Sequence, residues 1–201
     1  MSDYYPSPEE LLKPDMMLRL YSEGAFPMAD SSSGLINWYF PNIRCIIPLD
    51  NFNLPRSLKK FMTSDPFEYF VDRDFTSVVE GCADRESTWI SPRLISAYHE
   101  LWDLGYIHTV EVYKNNFLVG GLYGIAIGGA FFGESMFSTQ PQASKCALVK
   151  LIEILTRNNF SLLDVQYVTE HLKMFGAEEI SLYQYRRLLH KAYSSSPLFS
   201  A

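Results

Sequence analysis

The chain has 201 residues, of which 47% are hydrophobic and 20% charged, and its 17 Lys and Arg stand against 23 Asp and Glu, a formal net charge of −6. This length can bury one sizeable core with a small appended lobe, and the acidic balance argues against broad nonspecific binding of nucleic acid. Since no run of about 18 apolar residues could span a bilayer and residues 1–10 lack the basic-then-apolar order of a secretory signal, the sequence predicts a cytoplasmic protein without a membrane partner.

The cysteines and histidines show no spacing typical of a disulfide framework or a metal site. Cys45, Cys82 and Cys146 are odd in number, far apart and form no Cys-x-x-Cys pair. The histidines are equally scattered along the chain, and such residues are more often surface or satisfied core residues than ligands. We therefore expect three reduced thiols and no metal.

The N-terminal region predicts two short helices followed by extended chain. Ser7-Pro8-Glu9-Glu10 combines an N-cap, a proline at the first helical position and acidic residues in the first turn. Pro14 interrupts this helix, and a second is expected near residues 15–22. Residues 36–48 carry aromatic and β-branched side chains, broken by Pro41. We place a domain boundary there, between a small N-terminal lobe at residues 1–41 and a main domain at residues 42–201.

The middle of the chain predicts an antiparallel meander. Three strand patterns follow one another at residues 107–113, 117–127 and 130–137, with turns at Asn115-Asn116 and Gly128-Gly129. Short connections of this kind join neighbouring antiparallel strands.

The C-terminal part alternates helices and strands. The pattern predicts an amphipathic helix at residues 142–157, a strand at 161–168, a helical turn at 171–175, a short strand at 179–182 and a last helix at 184–192. Strand pairs followed by helix, strand and helix favour an α+β fold, with a mixed and largely antiparallel sheet and flanking helices.

Two polar residues, Asp164 and Gln166, interrupt the apolar strand at residues 161–168. Because side chains alternate along a strand, we expect both to project from one face, where they could hydrogen bond to each other. Taken alone, this pattern favours a strand with one face in water over a catalytic pair.

Glu134 lies within a predicted strand between Phe132 and Met136. It is expected either at a sheet edge or on the wall of a pocket. The nearby glycine-rich stretch at residues 120–124 lacks the spacings of nucleotide-binding loops and lies in a strand pattern, so close backbone approach within a sheet explains it better.

A basic cluster is formed by Arg44, Arg56, Lys59 and Lys60. Taken alone, such a cluster is more often a solvated helix face than a binding site.

Taken together, these stretches resemble the leucyl/phenylalanyl-tRNA-protein transferase family over nearly the whole chain. The matching pieces occur in family order: Tyr21-Ser22-Glu23-Gly24-Ala25-Phe26-Pro27-Met28, Trp38-Tyr39 with Pro41 and Arg44, Arg56-Ser57-Leu58, Thr88-Trp89-Ile90, Ala97-Tyr98, Val119 to Gly124, Gly133 to Phe137, Ala143-Ser144-Lys145, Asp164-x-Gln166 and Gly176-Ala177. The sequence departs from the family pattern at Phe40, at Met174-Phe175 and at Ser181-Leu182, where an arginine is usual.

The resemblance implies a main domain similar to Gcn5-related acetyltransferases and a leucyltransferase activity. Members move Leu or Phe from charged tRNA to proteins that begin with Arg or Lys, without metal or coenzyme. By resemblance Gln166 lies nearest the attacking α-amine, Asp164 holds and polarises the Gln166 amide, and Glu134 lies near the N-terminal residue of the acceptor, where a carboxylate would favour a cation. Since an aminoacyl ester is already activated, the enzyme has mainly to orient the reactants, remove a proton and stabilise the oxyanion.

The same resemblance assigns the substrate contacts. The pocket for the transferred amino acid maps onto apolar residues: Leu122, Phe131, Met136, Leu148, Leu151, Leu155 and Leu163. Leu148, Leu151 and Leu155 also form one face of the predicted helix, a pattern typical of plain core. A pocket of this kind should accept Leu, Phe and Met and disfavour β-branched or polar groups. Trp89 is implied to stack on the terminal adenine, and Arg56, Lys59 and Lys60 to contact acceptor-stem phosphates.

Two alternatives remain at this level. An acetyltransferase that uses acyl-coenzyme A could share the fold, although the usual pyrophosphate loop is absent before the helix at residues 142–157. A binding module for destabilising N-termini would need Glu134 but neither Asp164 nor Gln166. Transfer of leucine from tRNA to an Arg-initiated peptide distinguishes all three readings.

Overall fold

The computed structural model describes residues 6–30, 32–64 and 67–201. Residues 1–5, the start of the predicted N-terminal lobe and of the segment predicted not to be a secretory signal, lie outside the described residues. The predicted first helix is a single 3-10 turn, Glu10–Leu12, in which Ser7 and Glu10 exchange hydrogen bonds. The second helix, α1, spans Pro14–Ser22 and begins with its proline at the first position.

The remaining elements follow in chain order. They are β1 (Phe26–Ala29), β2 (Ile36–Tyr39), β3 (Ile43–Ile46), α2 (Arg56–Thr63), β4 (Glu68–Val71), α3 (Phe75–Ala83), α4 (Pro92–Asp103), β5 (Ile107–Lys114), β6 (Phe117–Ile127), β7 (Ala130–Ser138), α5 (Ala143–Arg157), β8 (Leu162–Gln166), α6 (Glu170–Lys173), β9 (Glu178–Ser181) and α7 (Leu182–Tyr193). The last helix begins with a capping box between Ser181 and Gln184. Among these helices, none combines the length and the apolar character needed to cross a bilayer.

The main sheet has seven strands in the order β4-β5-β6-β7-β8-β3-β9, and β1 pairs with β2 in a separate two-stranded sheet. The meander β5-β6-β7 is antiparallel, as predicted. Within the main sheet the pairing of β7 with β8 is parallel, and the other strand pairs are antiparallel. The predicted α+β fold with a mixed, largely antiparallel sheet is therefore confirmed.

The two faces of the main sheet bury two different cores. Phe132 belongs to a core that includes Met17 of α1 and Leu94 of α4, whereas its neighbour Phe131 belongs to the core that includes Leu148 of α5. This division follows from the alternation of side chains along β7. Each fully buried Leu or Phe side chain contributes about 1.5–3 kcal/mol to folding.

The boundary near Pro41 stays a prediction. Strand β2 ends at Tyr39 and β3 begins at Ile43 on another sheet. Nevertheless Tyr21 and Phe26, from the predicted lobe, lie in the same core as Phe132 of the main sheet.

The parallel pairing of β7 with β8 is short, and the candidate site lies where the two strands separate. Its ladder joins residues 130–132 to residues 162–164 and then ends. On the other side of β8, the register with β3 shifts, since Cys45 lies opposite Gln166 while the adjacent Ile46 lies opposite Asp164. An extra residue of this kind is a β-bulge. The bulge and the left-handed backbone of Gln166 interrupt the regular alternation of side chains between Asp164 and Gln166, so the expectation that both project from one face stays a prediction.

Candidate active site

Asp164 is fully buried and has three polar partners. Its carboxylate forms an ion pair with Arg44 and accepts a hydrogen bond of 2.5 Å from the Tyr185 hydroxyl. Its second oxygen accepts the backbone N–H of Gln166 at 2.8 Å. Arg44 in turn donates to the Gly24 carbonyl at 2.6 Å. A buried charge is tolerated when it is paired in this way.

Arg44 is therefore not part of a basic surface. Its side chain is 1% exposed, and its guanidinium lies 4.9 Å from the ring centre of Phe26 and 4.6 Å from that of Tyr185. These contacts are favourable cation–π geometry. The grouping of Arg44 with the exposed cations of α2 is wrong.

Gln166 ends β8 at the point where β7 and β8 separate, and it adopts a left-handed backbone with φ of 63°. Its side chain is mostly buried, and its Nε2 donates to Glu134 Oε1 across the gap at 3.1 Å. The expected contact between Asp164 and the side-chain amide of Gln166 is wrong, because Asp164 holds the backbone N–H instead. The Gln166 amide is oriented by Glu134.

Glu134 lies on β7 and is 6% exposed. Its second oxygen accepts a hydrogen bond of 2.8 Å from the Tyr98 hydroxyl, which itself lies 3.2 Å from the Tyr21 hydroxyl. Burial raises the pKa of the Glu134 carboxyl from its ordinary value of 4.5 to about 7, and hydrogen bonds from Tyr98 and Tyr21 limit that rise. Both protonation states are therefore accessible near neutral pH, which suits a general base.

A cavity of about 620 Å³ opens beside Glu134, between the end of β7 and helix α5. Its wall includes most of the residues predicted to contact the donor: Trp89, Leu122, Met136, Leu148, Leu151 and Leu163. Phe131 and Leu155 instead lie fully buried in the core that contains α5, behind the cavity wall. Six of the eight residues predicted to contact the donor therefore line one cavity, and these two do not.

Sequence reasoning missed Tyr123, which lies on β6 and on the wall of this cavity. The residue is fully buried, and its hydroxyl has no hydrogen-bond partner among the described residues. A buried hydroxyl without a partner is costly. A tyrosine in an apolar strand carries no sequence signal for this state, since the missing partner is a property of the tertiary packing.

Arg85 and His171 also line the cavity and were missed. Arg85 donates from Nη2 to the Met136 carbonyl at 2.6 Å and to the Ser135 hydroxyl at 3.0 Å, so it adds a fixed cation to the wall that also includes Trp89. His171 is half-buried, and burial followed by the charge of Lys145 lowers its pKa. It therefore lines the cavity as a neutral imidazole.

The predicted phosphate contacts lie on α2. Arg56, Lys59 and Lys60 are exposed, while Leu58 of the same helix is buried. Among the ion pairs of the described residues, none involves these three cations. One face of α2 therefore presents positive charge to solvent.

The three cysteines are free and buried, which confirms that they form no disulfide. Burial raises the pKa of Cys45 to about 11 and that of Cys82 to about 12, so both are protonated near neutral pH. Over the ranges that the structure describes, no group of three or more His, Cys, Asp or Glu side chains is arranged to hold a metal ion.

Comparison with known proteins identifies the class of this site. Residues 46–190 match the family described as leucyl/phenylalanyl-tRNA protein transferase, and residues 10–42 match its N-terminal domain. The chain is therefore an aminoacyltransferase. More particularly, it belongs to the leucyl/phenylalanyl-tRNA protein transferase family.

Three curated relatives, each a leucyl/phenylalanyl-tRNA–protein transferase, match most of the chain. The relative from Salinibacter ruber is 45% identical over 92% of this chain and 82% of its own length. That from a Ruegeria species is 46% identical over 90% and 87%, and that from Dinoroseobacter shibae is 44% identical over 96% and 87%.

Similarity to solved structures is weaker. A ribosomal-protein-alanine N-acetyltransferase from Brucella melitensis aligns with a TM-score of 0.40 and 16% identity over 55% of this chain and 88% of that one. A conserved protein of unknown function from Bacteroides thetaiotaomicron aligns with a TM-score of 0.47 and 14% identity over 89% and 63%. At these scores, neither alignment carries an argument about function.

Proposed function

We propose that this protein transfers Leu or Phe, and also Met, from aminoacyl-tRNA to the α-amino group of proteins with an N-terminal Arg or Lys, and so marks them for degradation as N-degrons. We expect it to act in the cytoplasm, where charged tRNA is available. The observation that carries the proposal is the position of the apolar cavity, which ends at the buried pair of Glu134 and Gln166. A donor side chain seated there would present its ester beside a base.

The donor is held in two parts. The aminoacyl side chain enters the cavity between Met136, Leu148 and Leu151, where apolar contact and size select it. The terminal adenine of the tRNA stacks on Trp89, a contact worth about 1 to 3 kcal/mol. Arg85 lines the same cavity wall as Trp89 and contacts the phosphate adjacent to this adenosine. The exposed cations of α2 extend the contact along the acceptor stem.

The acceptor amine then attacks the ester carbonyl. Because the Nε2 of Gln166 is committed to Glu134, its Oε1 is the atom that remains to accept a hydrogen bond from the amine. Glu134 takes the proton as the new C–N bond forms, and Tyr123 donates its unpaired hydroxyl to the carbonyl oxygen, which becomes an oxyanion. The bond to the ribose oxygen breaks, and that oxygen receives the proton from Glu134. No cofactor enters this sequence, because the ester is already activated.

The direct test is the transfer of labelled leucine from Leu-tRNA to a peptide that begins with Arg. We expect transfer without added metal or coenzyme A, and none to the same peptide with an acetylated N-terminus. An enzyme that instead acetylates the peptide from acetyl-coenzyme A, or a protein that binds the peptide without modifying it, would contradict the proposal.

The pH dependence of transfer tests Glu134 as the base. Since the ionised carboxylate is the active form, kcat/KM should rise with pH through an ionisation near 7. The peptide amine, with a pKa of about 8, adds a second rising limb. In Glu134→Gln, kcat/KM should be lower and should depend only on the ionisation of the amine. If the rise near pH 7 is unchanged in this variant, Glu134 is not the base.

A further inference from the structure

A second cavity, of about 330 Å³, lies on the other side of Gln166. It is formed by the three adjacent strands at one end of the sheet. Its wall includes Ile43 from β3, Gln166 at the end of β8, Tyr167 directly after β8, and Glu179 from β9. Gln166 therefore separates two cavities: its amide donates to Glu134, which lines the donor cavity, while the residue itself lines the second one. The acceptor amine can therefore approach Gln166 from the side of the second cavity.

The strand register aligns Glu179 with Gln166. Cys45 lies directly opposite Gln166 on one side and directly opposite Glu179 on the other. Neighbouring strands lie about 5 Å apart, so the backbones of Gln166 and Glu179 are about 10 Å apart, two strand spacings, and both residues line the second cavity. An extended Arg or Lys side chain, together with the reach of the glutamate, spans this separation.

The wall of the second cavity suits a long cationic side chain. Glu179 is exposed, and no ion pair within the described residues uses its carboxylate. Ile43 is 58% exposed and Tyr167 46% exposed, which provides apolar surface for the methylene groups of Arg or Lys. The neighbouring cation Lys173 forms its ion pair with Glu170, at 2.6 Å, and interacts with Glu179 only through the longer-range attraction of their charges, and Arg44 is buried against Asp164.

Glu134 is poorly suited to the same task. It is 6% exposed, and its two oxygens accept hydrogen bonds from Tyr98 and Gln166, both buried. A guanidinium or ammonium group of the acceptor side chain would have to enter this buried site, which the proposed mechanism already assigns to the reacting α-amine.

We propose that the second cavity binds the N-terminal residue of the acceptor protein, and that Glu179, rather than Glu134, pairs with its basic side chain while the α-amine lies at Gln166. This assignment rests on the proposed transferase function and adds to it the subsite that selects the acceptor. Glu134 serves the chemistry, and Glu179 serves the choice of substrate.

The test compares two peptides that differ only in charge at the N-terminal residue, one with Arg and one with citrulline, its neutral near-isostere. Leucine transfer to each is measured as kcat/KM with wild type, Glu179→Gln and the matched control Glu178→Gln. Glu178 is also exposed and is adjacent in sequence, but successive strand residues face opposite sides, and it does not line the cavity.

Wild type should prefer the Arg peptide, and Glu179→Gln should lower kcat/KM for that peptide about tenfold, mainly through KM, as expected for the loss of a charge-assisted hydrogen bond. The ratio of the two peptides should fall toward one. In Glu178→Gln the ratio should stay within about twofold of wild type, the range of a surface charge. A wild-type ratio in Glu179→Gln would overturn the assignment, as would a ratio that falls in Glu134→Gln instead.

The two failures are distinguishable. If wild type transfers leucine to neither peptide, the proposed function is wrong. If it transfers leucine and Glu179→Gln keeps the wild-type preference with a normal unfolding transition, only the acceptor subsite is wrong.

Discussion

At the scale of single residues, Asp164 is best described as a positioning residue. It reaches the reaction only through the backbone N–H of Gln166, whose left-handed conformation, with φ of 63°, costs roughly 1–2 kcal/mol for a residue other than glycine. The hydrogen bond from that N–H offsets part of this cost. The charge of Arg44 and the hydroxyl of Tyr185 fix Asp164 in turn.

Removing Asp164 should therefore damage the fold as well as the reaction. Asp164→Ala leaves Arg44 buried without its partner, and we expect a loss of about 3–5 kcal/mol in the free energy of unfolding. Transfer should fall strongly, while binding of charged tRNA to the folded fraction stays nearly intact. Urea unfolding of single and double variants measures this: Arg44→Met should cost about 1–3 kcal/mol less in the Asp164→Ala background than in wild type. Additive losses would mean that the pair is not coupled.

Tyr123 offers the opposite combination of effects. Its hydroxyl is buried without a partner, so Tyr123→Phe should raise the free energy of unfolding by about 1 kcal/mol. If the hydroxyl stabilises the oxyanion, kcat should nevertheless fall about 10²-fold. Thermal unfolding and single-turnover transfer on the same preparation test both parts. A variant that is more stable and fully active would remove Tyr123 from the mechanism.

At the residue level, the sequence carries local information at a few positions only. Glu134 and Gln166 stand out as polar residues in apolar strands, and the structure brings them together. The bulge in the pairing of β8 with β3 is not readable from the sequence, because one extra residue in a strand leaves no compositional mark. The burial of Arg44 is equally hidden, since its partner lies 120 positions away.

At the scale of elements, α5 shows why an apolar stripe is ambiguous. Leu148, Leu151 and Leu155 occupy one predicted face, and all three are buried. The first two also line the donor cavity, whereas Leu155, about one turn further along, lies in the core behind it. Spacing alone cannot distinguish a cavity wall from a packed core, because both are apolar.

Because Leu151 lines the donor cavity and Leu155 does not, substitutions at these two positions form a matched test of donor choice. Leu151→Ala should enlarge the cavity and weaken use of Leu by about 1 to 3 kcal/mol, with a smaller loss for Phe, whereas Leu151→Phe should exclude Phe first. Leu155→Ala should cost about 2–5 kcal/mol of stability and leave the preference unchanged. Competitive transfer from Leu-tRNA and Phe-tRNA to one Arg-initiated peptide gives the ratio of kcat/KM. If both Leu151 substitutions shift that ratio in one direction, Leu151 does not shape the donor site.

Among the elements, the meander β5-β6-β7 was predictable because long apolar strands are separated by Asn-Asn and Gly-Gly turns. The sequence between residues 49 and 106 yields no such assignment, although it forms α2, β4, α3 and α4. Helix α3, for example, buries the adjacent residues Val78 and Val79 and shows no clean polar face. The insertion of β3 between β8 and β9 depends on contacts across more than 100 residues, which local patterns do not record.

At the scale of the whole molecule, the net charge of −6 confines attraction for tRNA to a few places. Arg56, Lys59 and Lys60 of α2 supply three exposed cations, so the plot of log affinity against log salt should have a slope of only about −2 to −3. Replacing all three with Ala should reduce the magnitude of the slope by about 2. Filter binding of Leu-tRNA over a salt series measures both, with the triple variant Arg186→Ala, Arg187→Ala and Lys191→Ala, which removes three exposed cations elsewhere, as a control for the lowered net charge. A wild-type slope near −10 would reveal a much larger basic surface.

The short parallel ladder between β7 and β8 divides the sheet into two parts. Most of the donor cavity belongs to β6, β7 and α5, whereas the acceptor cavity belongs to β8, β3 and β9. These walls share few side chains, and substitutions at sites without shared partners have effects that sum. Under the proposed assignments, the choice of amino acid and the choice of acceptor are thus separable properties. Mutation can retune either one while the other stays as it was.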